Sequence, residues 1–318
     1  MIIGHDRAVA CFAEAMHSCA LHHAWLLAGP RGVGKASFAR EATRRLLAEA
    51  AGPPVMLPGV ETPLEHPISH FLAAGSHPDY RELVRLERKE GGLQRNISVD
   101  QVRSLGDLFS STPFLSPWRA VVIDCADDLE PEGANALLKM LEEPPANCLF
   151  MLVSHAPGRL LPTIRSRCRR LDFQALSDDA MTSILERVLP GQGTGEIAKL
   201  VAIAGGSAGR ALDIGQLDLA PLEAAATVIL REGDPDNARR AKLAQGMSGK
   251  AAADRYAAFL ALVPSLIARE ARHLDGARRE RALNAYAEAR EAAAVARRLS
   301  LDPAATIFQL GAILASVP

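Results

Sequence analysis

Gly29-Pro30-Arg31-Gly32-Val33-Gly34-Lys35-Ala36 satisfies the pattern G-x-x-x-x-G-K-[ST] at every position but the last. In such a loop the glycines let consecutive backbone N–H groups turn inward around phosphates. The lysine reaches the terminal phosphates and the final hydroxyl ligates Mg²⁺. Ala36 has no hydroxyl. Ser37 does not replace it, because one further residue along the helix turns the side chain by about 100°. Upstream, Ala24-Trp25-Leu26-Leu27-Ala28 is a short apolar run suited to a buried strand, and downstream the segment from Ala36 to Leu47 has helical character. Strand, glycine loop and helix in this order predict an α/β unit, with Gly29, Gly32, Gly34 and Lys35 as candidate phosphate ligands. A glycine-rich turn that binds nothing stands as the alternative reading.

Ala120-Val121-Val122-Ile123-Asp124 reads as a second buried strand, ending in a carboxylate where nucleotide-hydrolysing enzymes of this type help to hold magnesium. In those that use an Asp-Glu pair, the next residue orients the attacking water; here it is Cys125. A thiol is neither a good base nor a good water ligand at neutral pH, since its reference pKa is about 8.5 and burial raises it. Asp127 and Asp128 carry carboxylates but are displaced along the chain. With Ala36 and Cys125 both changed, the site is not expected to hydrolyse ATP unaided. ATP or ADP is an optional ligand with weak dependence on Mg²⁺, and no cofactor is required.

Leu137, Leu138 and Leu141 repeat at helical spacing, and Pro144-Pro145 stop that helix because proline lacks an N–H and restricts its predecessor. The helix is expected to present Lys139 and Glu142 to solvent or to a neighbour. Cys148 to Ser154 forms another apolar strand, with Ser154 at the carboxyl end where open α/β sheets place ligand-facing residues. Ile164-Arg165-Ser166-Arg167-Cys168 then leads through Arg169 into a short strand from Arg170 to Phe173, a strongly cationic passage.

After Phe173 the pattern turns helical throughout. Met181, Ile184, Leu185 and Val188 follow one helix face behind a Ser177 cap, and a helix from Glu196 to Ala204 ends at Gly205-Gly206. Ser207 is placed to cap a further helix carrying Arg210. From about Pro221 the chain is rich in alanine, leucine and paired arginines, with long helices expected over Ala251 to His273, kinked at Pro264, and Ala277 to Leu299.

Four phrases, Ile97 to Arg103, Val121 to Asp124, Gly133 to Pro145 and Ile164 to Cys168, together resemble the delta-prime family of bacterial DNA polymerase III clamp-loader subunits. These are AAA+ proteins related to the gamma/tau motor subunits. The layout matches over the whole chain, but the specific motifs lie between residues 23 and 173, above all Leu138-Lys139-Met140-Leu141-Glu142-Glu143-Pro144-Pro145 followed by Ser166-Arg167-Cys168. The resemblance implies a P-loop parallel sheet with helices on both faces in residues 1–173. A helical lid in 174–219 and an all-α collar in 220–318 would follow.

The same resemblance implies that Arg167 is supplied in trans to a neighbour's ATP, where a guanidinium fork suits charge developing on a transferring phosphate. Asp124 and Ser154 would belong to a degenerate nucleotide site, Ser154 sensing the terminal phosphate, and Arg210 would face the nucleotide. Implied partners are gamma/tau and delta subunits, with the sliding clamp and primed DNA reached through the assembled complex. Bland readings stand beside these: a solvated basic turn, a strand-ending serine, a salt-bridging surface arginine and a bundle serving its own fold. A self-sufficient ATPase, or an AAA+ adaptor of another DNA machine, are the alternatives in function.

Many such relatives carry a four-cysteine zinc module after the P-loop helix, with ligands in close-spaced pairs. Here the five cysteines, Cys11, Cys19, Cys125, Cys148 and Cys168, are scattered, and none falls between Cys19 and Cys125. Ala51-Gly52-Pro53-Pro54 through His66-Pro67 reads as a loop, so neither zinc nor another metal is expected. His17, His22 and His23 near Cys19 read as ordinary surface and strand-entry histidines. The odd cysteine number argues for reduced thiols.

At 318 residues the chain can bury more than one core, and 48% hydrophobic with 23% charged residues is ordinary globular composition. No apolar run approaches a membrane span, and Gly4-His5-Asp6-Arg7 opens without the zones of a signal peptide, so a cytoplasmic protein is expected. A net charge of −1 leaves any DNA contact to local basic patches.

Overall fold

Every residue of β1 (Ala24–Ala28) is buried, and it lies between two parallel neighbours. With β2 (Tyr80–Val84), β3 (Arg119–Asp124), β4 (Cys148–Ser154) and β5 (Arg169–Asp172) it makes a five-stranded sheet in the order β2-β3-β4-β1-β5, with every pairing parallel. The computed structural model describes residues 2–18, 21–88, 92–110, 112–217, 219–245, 252–299 and 301–318; Cys19 and Ala251 lie outside them. Register aligns Ala28 with Ser154, and Asp124 with both Val84 and Val153. The carboxyl ends of β1, β3 and β4 therefore share one edge, where the glycine loop begins.

Side chains alternate across the sheet with the period of two that a strand imposes. Trp25 and Leu27 join Ala120, Val122, Leu149, Met151 and Val153 on one face. Ala24 and Leu26 join Val121, Ile123, Phe150 and Leu152 on the other. Both faces are apolar, as a parallel sheet covered by crossover helices requires.

The first face is covered by α1 (Asp6–His17) through Ala8, Phe12 and Ala15, and by α2 (Lys35–Ala51) through Phe38, Ala39, Ala42, Leu46 and Leu47. Phe12 meets Trp25 edge-on at 5.2 Å and Phe38 at 6.0 Å. Truncating either phenylalanine to alanine would cost about 3–5 kcal/mol, the lost transfer energy plus the cavity left behind.

The loop between α2 and α3 (Pro67–Ala73) is gathered by a buried guanidinium: Arg45 donates to the carbonyls of Val55, Leu57 and Glu61 and pairs with Glu49 at 2.5 Å. His66 closes its far end, accepting from the Ile68 N–H at the head of α3.

The second face is covered by α4 (Val99–Arg103), α5 (Leu105–Ser110), α6 (Pro131–Glu142) and α7 (Pro162–Ser166). Val102, Leu105, Leu108, Leu137, Leu141 and Ile164 supply that core. Ser98 and Gln101 start α4 with a reciprocal capping box. In α6, Leu137 and Leu141 are buried and Leu138 partly so, while Lys139 and Glu142 are exposed, as the helical spacing predicts.

Beyond the sheet, α8 (Asp178–Val188) is capped by Ser177, whose hydroxyl accepts from the Ala180 N–H, and buries Met181 and Leu185. Val188 stays exposed, so the expected apolar face is one residue shorter. α9 (Thr194–Ala204) ends at a left-handed Gly205. It is followed by α10 (Ala208–Gln216), α11 (Ala220–Glu232), α12 (Ala238–Gln245), α13 (Ala252–Ala271), α14 (Gly276–Leu299) and α15 (Pro303–Ala315).

The chain divides into two compact units, Met1–Gln192 with Gly206–Gly209, and Gly193–Gly205 with Arg210–Pro318. Within the second, α13 runs through Pro264 and buries Phe259, Val263, Leu266 and Ile267. Its neighbour α14 buries Ala282, Ala285, Ala289, Ala293 and Ala296, a small-residue stripe at helical spacing that permits close approach. No described helix is long and apolar enough to cross a membrane.

Candidate functional site

The glycine loop joins the end of β1 to the start of α2, and Gly34, at φ +104°, makes the left-handed turn that opens the helix. Only glycine adopts that conformation without strain. Gly29 is fixed by close approach instead: a Cβ there would lie 2.1 Å from the Phe173 carbonyl oxygen. The loop is also held from outside. The His5 ring Nε2–H donates to the Val33 carbonyl at 2.6 Å, with the imidazole edge-on to Phe173. Ser207 Oγ donates to Arg31 O at 3.0 Å and Gly209 N to Gly32 O at 2.9 Å.

Lys35 is only 2% exposed, and its ammonium donates to Gly29 O at 2.6 Å and to Pro30 O. Burial pulls its pKa down to about 8, against the upward pull of Asp127, Cys125 and Asp124. Four residues after Ala36, on the same helix face, stands Arg40. Its guanidinium bridges Glu82 on β2, Nη2 to Oε1 at 2.6 Å, and Asp124 at the end of β3, Nη2 to Oδ2 at 3.4 Å. Burial raises the Asp124 pKa, and Arg40 opposes that rise. The carboxylate that would face magnesium thus has a cation of the chain's own beside it.

Asp127 takes up the other polar group of this edge. Ser154 Oγ donates to its Oδ1 at 2.8 Å and the His155 N–H to its Oδ2 at 2.5 Å. His155 is held neutral, its pKa lowered to about 4 by burial first and by the nearby Lys35. Cys125 is buried, and that burial, followed by the charges of Asp128 and Asp127, pushes its thiol pKa up. A thiol held protonated in this way has no capacity to take a proton from water. Asp128 pairs instead with Arg85 at 3.1 Å.

The loop glycines, Lys35, Asp124, Cys125, Asp127 and Ser154 are therefore brought to one edge. The glycine loop keeps the turn that opens α2, and Lys35 is turned onto the loop's own carbonyls, Gly29 O and Pro30 O. The donors for a bound magnesium do not fit, since Ala36 has no oxygen and Asp124 faces Arg40. Among the described residues no group of three or more His, Cys, Asp or Glu side chains is placed to hold a metal ion.

Arg167 follows α7, away from this network in the sequence. Its Nη1 donates to Thr163 O at 3.0 Å, and its Nη2 lies 2.8 Å from Glu142 Oε1 at the end of α6. The surrounding arginines are less uniformly free than their run suggests. Arg169 stacks over Trp25 at 4.8 Å, and Arg170 pairs with Asp172 at 2.7 Å. Arg210 belongs to the second unit, where burial lowers its pKa and Glu223 opposes that shift. Glu223 is itself buried and bonded to Arg269 at 2.9 Å.

Arg40, Glu82, His5 and the capture of Ser154 by Asp127 escape a reading of the sequence. Only Arg40 left a signal, being one helical turn beyond the missing hydroxyl.

The family profile described as DNA polymerase III, delta subunit, matches residues 4–177, more than half of the 318 residues. The chain belongs to that family. Among relatives of this delta-subunit family member, a DNA polymerase III subunit delta' of Pseudomonas aeruginosa is 38% identical over 188 residues, 58% of this chain and 53% of that one. The delta' subunit of Bacillus subtilis is 32% identical over 199 residues, 62% of this chain and 55% of that one. A gamma/tau subunit of Mycobacterium tuberculosis H37Rv is 33% identical over 212 residues, covering 66% and 35%. The matched stretch spans about half the length of the curated delta' relatives and about a third of gamma/tau. The delta-prime resemblance is thereby supported, and the all-parallel sheet with the glycine loop after the interior strand β1 gives the expected α/β fold.

Proposed function

We propose that this chain acts as a delta-prime-like subunit of a bacterial clamp loader. It does not hydrolyse ATP itself and supplies Arg167 in trans to a neighbouring motor's ATP while a sliding clamp is loaded on primed DNA. The observation that carries the reading is a contrast in residue chemistry. Ala36 and Cys125 remove the magnesium hydroxyl and the water-orienting carboxylate, whereas Arg167 stays partly exposed, with 35% of its side chain open to solvent. Partners in this reading are gamma/tau and delta subunits, and the setting is the cytoplasm. Residues 174–219 serve as a lid and 220–318 as the oligomerising collar.

The retained cradle favours a second role for the same site. Gly29, Gly32, Gly34 and Lys35 hold ATP or ADP as a structural ligand, and because Arg40 already faces Asp124, binding depends little on Mg²⁺.

The deciding experiment reconstitutes the complex from this chain and its cognate gamma/tau and delta subunits. The isolated chain should show negligible DNA-stimulated hydrolysis, and the complex should load clamps. Robust turnover by the isolated chain would instead make it a self-sufficient ATPase.

A further inference from the structure

The two sequence phrases that single out this family meet in space. Glu142 belongs to Leu141-Glu142-Glu143-Pro144-Pro145 and Arg167 to Ser166-Arg167-Cys168, and their side chains form an ion pair of 2.8 Å. Glu142 is the last residue of α6, whose Leu137 and Leu141 are anchored in the core under the sheet. His23, at the entry to β1, is placed to bond the Leu141 carbonyl at 3.2 Å, adding a tie at that helix end. Arg167 follows directly on α7, which is anchored in the same core by Ile164. The carboxylate and the guanidinium thus stand on two rigid helix ends that share one core.

We infer that Glu142 is a positioning residue for Arg167: its carboxylate, with the Thr163 carbonyl, holds the guanidinium aimed outward before a neighbouring subunit's nucleotide arrives. This rests on the proposed trans role of Arg167. A guanidinium carries five N–H donors in a fixed plane. Glu142 draws on Nη2 and the Thr163 carbonyl on Nη1, one contact each, so Nε and the second hydrogens of both terminal nitrogens are left for an incoming phosphate. A long, flexible side chain is thereby ordered before it is used, which is how a supporting contact speeds a step it does not touch. Both partners keep over a third of their side chains open to solvent, 35% for Arg167 and 42% for Glu142, so the pair contributes little to folding.

The test is a double-mutant cycle in the reconstituted complex, with Glu142→Ala, Arg167→Ala and the double variant, each checked for incorporation by size exclusion. Glu142→Ala should lower turnover about tenfold at the one motor site facing Arg167, short of the roughly 10²-fold loss that about 1 Å of misplacement can cost, and so lower the total by most of the share that Arg167→Ala removes. Glu142→Gln, which keeps an acceptor oxygen, should recover part of that loss and also serves if the alanine variant assembles poorly. In the Arg167→Ala background, removing Glu142 should cost nothing further, because the group it positions is gone.

An equal loss from Glu142→Ala in both backgrounds would make it a merely structural residue and overturn the inference. So would unchanged or raised hydrolysis, which would mean the carboxylate is idle or competes with the phosphate. If Arg167→Ala alone has no effect, the trans role fails first and the positioning role falls with it.

Discussion

The glycine loop and the end of α7 use charge in opposite ways. At the first, Lys35 is buried against loop carbonyls, Asp124 faces Arg40, and Asp127 is bonded by Ser154 and the His155 amide. At the end of α7, Arg167 has two local partners and still holds donors toward solvent. Partners within the chain occupy the polar groups at the glycine loop, whereas Arg167 keeps 35% of its side chain open to solvent, as the proposed role in trans requires. In the proposed reading, a subunit without turnover of its own is still needed for a neighbour's.

The comparison breaks most visibly at Arg167. Arg167→Ala should leave folding and assembly nearly unchanged, since a partly exposed arginine adds little to a core. Turnover at the one motor site facing it should fall by about 10³ to 10⁵, diluted in the total by the other sites. Arg167→Lys should rescue poorly, because a point charge cannot reproduce the fork. Steady-state hydrolysis and clamp loading by the assembled complex measure this, and normal loading by Arg167→Ala would remove the outward half of the contrast.

Next in size is the pH dependence of the cradle. A phosphate is attracted by the charged form of Lys35, whose pKa is pulled down to about 8. Affinity for a fluorescent ADP should weaken above pH 8, toward about tenfold per pH unit, as that proton is lost. Lys35→Ala should bind weakly with no such step. A step that persists in that variant would assign it to another group.

His155 gives a smaller, thermodynamic effect. Its folded pKa of about 4 lies below the ordinary 6.5. Between those values the unfolded chain binds the extra proton, so this contribution to stability is complete above about pH 6.5 and is lost as pH falls toward 4. His155→Gln should flatten the acid slope by up to about 1.4 kcal/mol per pH unit. Urea unfolding at pH 5 and 7, followed through Trp25 and Trp118, compares the two chains, and equal slopes would show that His155 titrates normally.

The smallest effects are expected at the magnesium position. Chelating Mg²⁺ should change nucleotide affinity little, and Ala36→Thr alone should not create fast hydrolysis, because Cys125 still supplies no carboxylate. Loss of tight binding on chelation would mean that Arg40 does not serve in the cation's place. Substantial turnover by the single variant would mean that Cys125 does not limit the chemistry.

What could be read from the sequence follows from how far apart the interacting residues lie. β1, the glycine loop, α2, β3 and β4 were legible because short apolar runs, glycines and a terminal carboxylate are local signals. So were the Ser177 cap and the left-handed Gly205. The bridge from Arg40 to Glu82 and Asp124 spans 42 and 84 residues, and Asp127 reaches Ser154 across 27. Such contacts exist only once the strands are in register. Val188 follows the apolar period yet stays exposed, since period reports a helix face and not where its cover ends. The four neighbouring arginines read as one cationic patch, but Trp25 and Asp172 had already claimed two of them.

Arg45 organises the loop after α2 with donors to three carbonyls, in the segment where the family resemblance raises the question of a zinc module. A guanidinium remains protonated at any physiological pH, and it cannot be removed by a chelator or oxidised as a thiolate cluster can. The shape of this loop should therefore survive metal starvation and peroxide alike, and its persistence is tied to α2 itself: the segment should come loose only when the helix carrying Arg45 does.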